Sequence, residues 1–203
     1  MSAALELMAA RGRFYAAARP HPAYLGFVRD NGLGVRSLAD ADPIRDFCGA
    51  LAVTTIRPLR DGGFEFAPTS DDKAVVAAVI EAYASDCETV ADLVAWPVAD
   101  PTRVRRMFGR ADCLGSWNIA SAASYVLDTP LMAYRTPLAW LQAGCRGVVV
   151  LDPAIAARRL LDAAGPVSGE DRQHSEELAT MVAALAGSVR FVAPVSPEIR
   201  KAA

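Results

Sequence analysis

Val148-Val149-Val150-Leu151 is apolar at every position and runs straight into Asp152-Pro153. Successive side chains of a strand point to opposite faces, so an unbroken apolar run predicts a central strand covered on both sides. Asp152 can then accept from the free N–H groups of a following helix. Pro153 fits that helix's first position, where no N–H is needed. The same punctuation recurs at Asp42-Pro43, Asp100-Pro101 and Thr136-Pro137, each read as a helix start. Ser168, with Asp171 three residues on, resembles a capping box. Gly109, Gly144, Gly165 and Gly187 stand where these helices should stop, since glycine accepts the left-handed conformation that closes a helix.

Between these marks the second half reads as a helix after Pro101, strand Leu131–Arg135, helix Pro137–Ala143, strand Gly147–Leu151, helix Pro153–Ala163 and a last helix over Gly169–Ala186. Val189–Val192 reads as a closing strand. The first half reads differently. An Ala-rich helix, about Ala3–Ala18, ends at Pro20, and a short helix follows Pro43. Val53–Arg57 and Phe64–Ala67 form a hairpin about Asp61-Gly62-Gly63. Ala74–Tyr83 carries both β-branched pairs and alanines and is read as a strand; Ser85–Glu88 turns it into Thr89–Trp96, which Pro97 ends. The expected fold is α+β: an antiparallel β-meander joined to a β-α-β-α segment, with helices packed on one sheet. The alternative is α/β. Residues 1–203 are read as a single domain, with the helix in 1–19 peripheral.

Of the 203 residues, 53% are hydrophobic and 22% charged, a globular balance. No apolar run approaches the roughly 18 residues of a membrane span. The N-terminus lacks the basic flank and apolar run of a secretory signal, so the expected location is cytoplasmic and no membrane partner is expected. Cys48, Cys87, Cys113 and Cys145 form no C-x-x-C pair and are expected as thiols. The net charge of −2 divides into −5 over residues 1–100 and +3 over 101–203. Neither half has the basic excess of a general nucleic-acid binder, and no tight duplex binding is expected.

Candidate functional groups are few. Asp152 ends an apolar strand, where α/β proteins place ligand groups. Arg135 and Thr136 end the neighbouring strand. If the two strands are parallel, all three share one rim, where Arg135 would either bind a carboxylate or phosphate or pair with Asp152. These are the candidate catalytic residues; the plainer role of Asp152 is the helix cap. Glu170, His174 and Glu177 fall at i, i+4 and i+7 and are the weak candidate metal set. No second Glu-x-x-His exists, and His21 lies between two prolines, so neither metal nor cofactor is expected. Arg103, Arg106 and Arg110 share a face of the helix expected after Pro101 and are the candidate binding residues. Cys113 and Cys145 are candidate nucleophiles without a nearby base. Gly32-Leu33-Gly34 lacks the rest of a dinucleotide loop, and no P-loop is present.

The strings Val90-Ala91-Asp92-Leu93-Val94-Ala95-Trp96-Pro97, Arg135-Thr136-Pro137-Leu138-Ala139-Trp140-Leu141 and Ala143 to Asp152 resemble an uncharacterised family of bacterial proteins. That family has no established activity. The resemblance therefore implies a recurring unit over residues 89–152 and no catalytic residue. With no complete catalytic set, the sequence points to a binding or regulatory module acting through a protein partner or a second copy of the chain. The alternative is a small hydrolase or transferase at Arg135, Thr136 and Asp152, which requires a concave pocket at that rim.

Overall fold

The computed structural model describes residues 3–18, 22–33 and 51–187. The expectations on Pro20, His21, Gly34, Asp42-Pro43 and its helix, Cys48 and Val189–Val192 lie outside the described residues.

Two helices come first, α1 (Ala3–Ala17) and α2 (Pro22–Asp30). The meander follows as β1 (Leu51–Pro58), β2 (Phe64–Phe66), β3 (Val75–Tyr83), β4 (Val90–Pro97) and β5 (Arg105–Arg106). These pair antiparallel in the order β2-β1-β3-β4-β5. The second half holds β6 (Cys113–Leu114), α3 (Trp117–Ala120), a 3₁₀ stretch (Ala122–Asp128), β7 (Leu131–Tyr134), α4 (Pro137–Gln142), β8 (Val148–Val150), α5 (Pro153–Leu161), β9 (Val167–Gly169) and α6 (Arg172–Gly187). Its strands order β6-β8-β7-β9, with β7 parallel to β8 and β9, and β6 antiparallel to β8.

The fold is α+β, and its strands form two sheets where the sequence leads to one. The break comes at residues 107–112. Asp92 is fully buried in β4. Its Oδ1 accepts from the amides of Leu93 and Phe108, and its Oδ2 from those of Arg110 and Ala111. Amides held by a carboxylate cannot extend the β4–β5 ladder, so the chain leaves the first sheet and enters the second as β6.

The layers are helix, sheet, sheet, helix. One face of the meander (Ala77, Val79, Leu93, Ala95) packs against Phe14 and Ala10 of α1. The other (Ala78, Ile80, Val94, Trp96) packs against Phe27 of α2, Trp140 and Leu141 of α4, and Val149. The far face of the second sheet (Cys113, Ala133, Val148) is covered by Ala156 and Leu160 of α5 and Leu178 of α6. Val148 and Val149 therefore enter different cores, which is why the run is apolar at every position. α1 is also tied down by Arg11, whose Nε donates to the buried Glu81 at 2.6 Å; the hydroxyls of Tyr15 and Tyr83 donate to the same carboxylate.

Three local expectations change. No helix follows Pro101: Asp100 Oδ1 accepts from the amide and hydroxyl of Thr102, closing a turn that leads into β5. Gly109 (φ +66°) accordingly sits in that connecting segment. Ser168 lies in β9, which pairs with β7, and the cap of α6 is Asp171, whose Oδ1 accepts from the His174 amide at 2.7 Å. No described helix is long and apolar enough to cross a membrane.

Candidate binding site

Because β7 and β8 are parallel, their C-terminal ends share one edge, and Arg135, Thr136 and Asp152 emerge there. Thr136 Oγ1 accepts from the Ala139 amide at 3.1 Å and caps α4. Asp152 Oδ1 accepts from the amides of Ala154 and Ile155, at 3.2 and 3.4 Å, and caps α5. Both local roles read from the dipeptides are present.

The ion pairs around them were not legible. Asp152 pairs with Arg106, Nη1 to Oδ2 at 3.1 Å, and not with Arg135. Partial burial works against the Asp152 carboxylate, but the Arg106 hydrogen bond and the cap amides outweigh it and hold its pKa below the usual range. Arg135 turns to the last helix. Its Nη1 donates to Glu177 at 2.7 Å, its Nη2 to Asp171 at 3.4 Å, and its amide to Glu170 Oε2 at 2.9 Å. The Glu177 bond leads in keeping the guanidinium charged.

Glu170, His174 and Glu177 therefore surround Arg135. Glu170 precedes α6, so the three do not share one helix face. The Glu170 amide donates to His174 Nδ1 at 3.2 Å, which makes that nitrogen an acceptor in a neutral ring. Burial first, and Arg135 second, push the His174 pKa below the ordinary histidine value against three nearby carboxylates. Among the described residues, no group of three or more His, Cys, Asp or Glu is arranged to hold a metal ion.

A cleft of about 480 Å³ opens at this rim. Val150, Leu151, Met107 and Phe108 give it apolar walls, the β1–β2 turn brings Gly62 and Gly63 to it, and Arg106 and Arg135 line it. Arg103 and Arg110 are not among its lining residues. Arg103 pairs with Asp100 at 3.0 Å, and the Arg110 guanidinium lies 4.9 Å from the Phe108 ring centre. With a turn, a strand and a loop replacing the expected helix, the three arginines share no face. Arg105, one residue from Arg106, points away and donates to the carbonyls of Leu59 and Gly63.

The cleft's side-chain hydroxyl is Thr102, which donates to Asp100 at 2.5 Å. That bond heads the causes holding the Asp100 pKa below the usual range, which makes Asp100 a weak base. Cys113 is buried behind the sheet; burial, with Asp152 adding to it, pushes its thiol up to about 12. Buried Asp92 and Asp112, which fix the segment between the sheets, have no role of their own in the sequence reading. Their one signal is an acidic residue inside an otherwise apolar stretch.

No family model, curated protein or solved structure matches this chain.

Proposed function

We propose that this chain is one folded binding module, acting at the rim of β7 and β8 on an acidic segment of a protein partner. The observation that carries this reading is the cleft itself, a mostly polar concavity lined by two guanidinium groups, Arg106 and Arg135, with Asp61 at the turn and apolar side chains between them. Among the described residues, Arg106 uses Nη1 for both of its bonds, to Asp152 and the Ala111 carbonyl, and leaves Nε and Nη2 for another acceptor, while Arg135 leaves Nε. The pairs these residues already make are partly exposed and screened by solvent, so they yield to an incoming carboxylate.

The same concave shape favours a second reading, a small hydrolase or transferase. That reading leaves Thr102 as nucleophile with the weakly basic Asp100 beside it, a poor pair for activating a hydroxyl.

Fluorescence anisotropy with a labelled hexaglutamate peptide tests the proposal, with hexalysine as control. The acidic peptide should bind and weaken with added salt, and Arg106→Gln with Arg135→Gln should weaken it by about tenfold or more. Equal binding of the two peptides, or none by either, overturns it.

A further inference from the structure

On the opposite edge of the second sheet lies a larger cavity, about 680 Å³, between the N-terminal ends of β7 and β8, α3 and the 3₁₀ stretch. Small-molecule sites typically measure about 300–1,000 Å³. Trp117 and Tyr134 supply aromatic walls, and Trp117 is fixed by edge-to-face contacts with Tyr83 and Trp140, both at 6.3 Å. Asn118 is committed to the frame: its Nδ2 donates to the Gly147 carbonyl at 2.9 Å and to that of Cys145 at 3.3 Å.

Ser124 is engaged as well, its Oγ donating to Asn118 Oδ1 at 3.5 Å. The indole N–H of Trp117, the hydroxyls of Ser121 and Tyr134, and the guanidinium of Arg146 line the cavity without a hydrogen-bond partner among the described residues. None of the described side chains that line the cavity is a carboxylate. Burial, with Glu170 adding to it, raises the Tyr134 pKa, so its hydroxyl keeps its proton and remains a donor. A cavity with aromatic walls, unengaged donors and, among the described residues, an unpaired guanidinium selects an acceptor-rich, negatively charged ligand with a flat ring. We propose that this cavity binds a planar aromatic anion of the size of a nucleoside monophosphate, with Arg146 meeting the anionic group and Trp117 and Tyr134 flanking the ring.

The site is separate from the Arg106–Arg135 cleft, so the two stand or fall independently. The test titrates the full chain with AMP, GMP, CMP and UMP, following tryptophan fluorescence and calorimetry. At least one should bind with a dissociation constant on the order of 0.1 mM. Arg146→Gln, at an exposed position, should weaken it by about tenfold without moving the melting temperature. Trp117→Phe should keep binding and remove most of the quench. Arg106→Gln should leave affinity unchanged. Absence of saturable binding by all four nucleotides overturns the proposal, as does undiminished affinity in Arg146→Gln or loss of affinity in Arg106→Gln.

Discussion

Arg106 and Asp152, 46 residues apart, join the last strand of the meander to the first turn of α5. One carboxylate holds two ends: Oδ1 caps the helix and Oδ2 accepts from the guanidinium. Asp152→Asn keeps an oxygen for the cap and gives up the charge; Asp152→Ala removes both. Ala should cost about 1–2 kcal/mol and Asn about half of that. The Asp152 pKa is lower folded than unfolded. Its contribution is therefore present above the unfolded value of roughly 3.9 and is lost as pH falls through the folded value. Urea denaturation at pH 7 and pH 3 should show the wild-type advantage over Ala shrinking in acid.

His174 titrates with the same sense. Its folded pKa lies below the unfolded value of roughly 6.5, so protons favour the unfolded chain. The stabilisation is full above that value and declines as pH falls through the folded one. Wild type should lose stability between pH 7 and pH 5, and His174→Gln should flatten that slope. An unchanged slope rejects the assignment.

Cys113 should resist iodoacetamide at pH 8 in the native protein, because its thiol is buried and titrates near 12. Half-buried Cys87 should label before Cys113. Mass spectrometry of pulse-alkylated peptides checks the order, and native labelling of Cys113 at the rate of Cys87 contradicts it.

Gly115 and Gly147 separate conformational strain from crowding. Both have positive φ, +68° and +93°. A Cβ on Gly115 would lie 2.3 Å from the Gly147 carbonyl oxygen, and one on Gly147 would lie 2.2 Å from that of Met132. Gly109, at +66°, has open space around it. Alanine at 109 should cost about 1–2 kcal/mol, the strain alone; alanine at 115 or 147 should cost clearly more. Thermal melts of the three variants give the ranking.

Removing Arg11 should loosen α1. Arg11→Ala deletes a charged donor from buried Glu81 and leaves the two phenols, which should cost about 1.5–3 kcal/mol. Hydrogen exchange should speed up in Ala3–Ala17 first.

What the sequence shows plainly is what neighbours in the chain decide. Residues 74–83 carry alanines that suit a helix, yet their β-branched pairs decide for the strand that forms at Val75–Tyr83. Thr136 and Asp152 cap because the accepting oxygen and the donating amides are two or three residues apart. Asp100-Pro101 presents the same dipeptide, but the Asp100 carboxylate is satisfied by Thr102, and the chain turns instead of winding. Which arginine meets Asp152 is a non-local outcome: Arg135 was nearer by topology, but acids on and before α6 claim it. The division into two sheets depends on Asp92 reaching amides 16 to 19 residues away, which no local pattern encodes.

The core between the two sheets draws on Phe27 near one end of the chain and Val149 far along it, with the meander between them. A cut in the connecting segment, for instance after Gly109, would leave each fragment with an uncovered apolar sheet face. Neither fragment should fold alone, and the two should recover structure when mixed. The segment held by Asp92 is thus a natural junction for a split-reporter pair, in which reassembly itself is the signal.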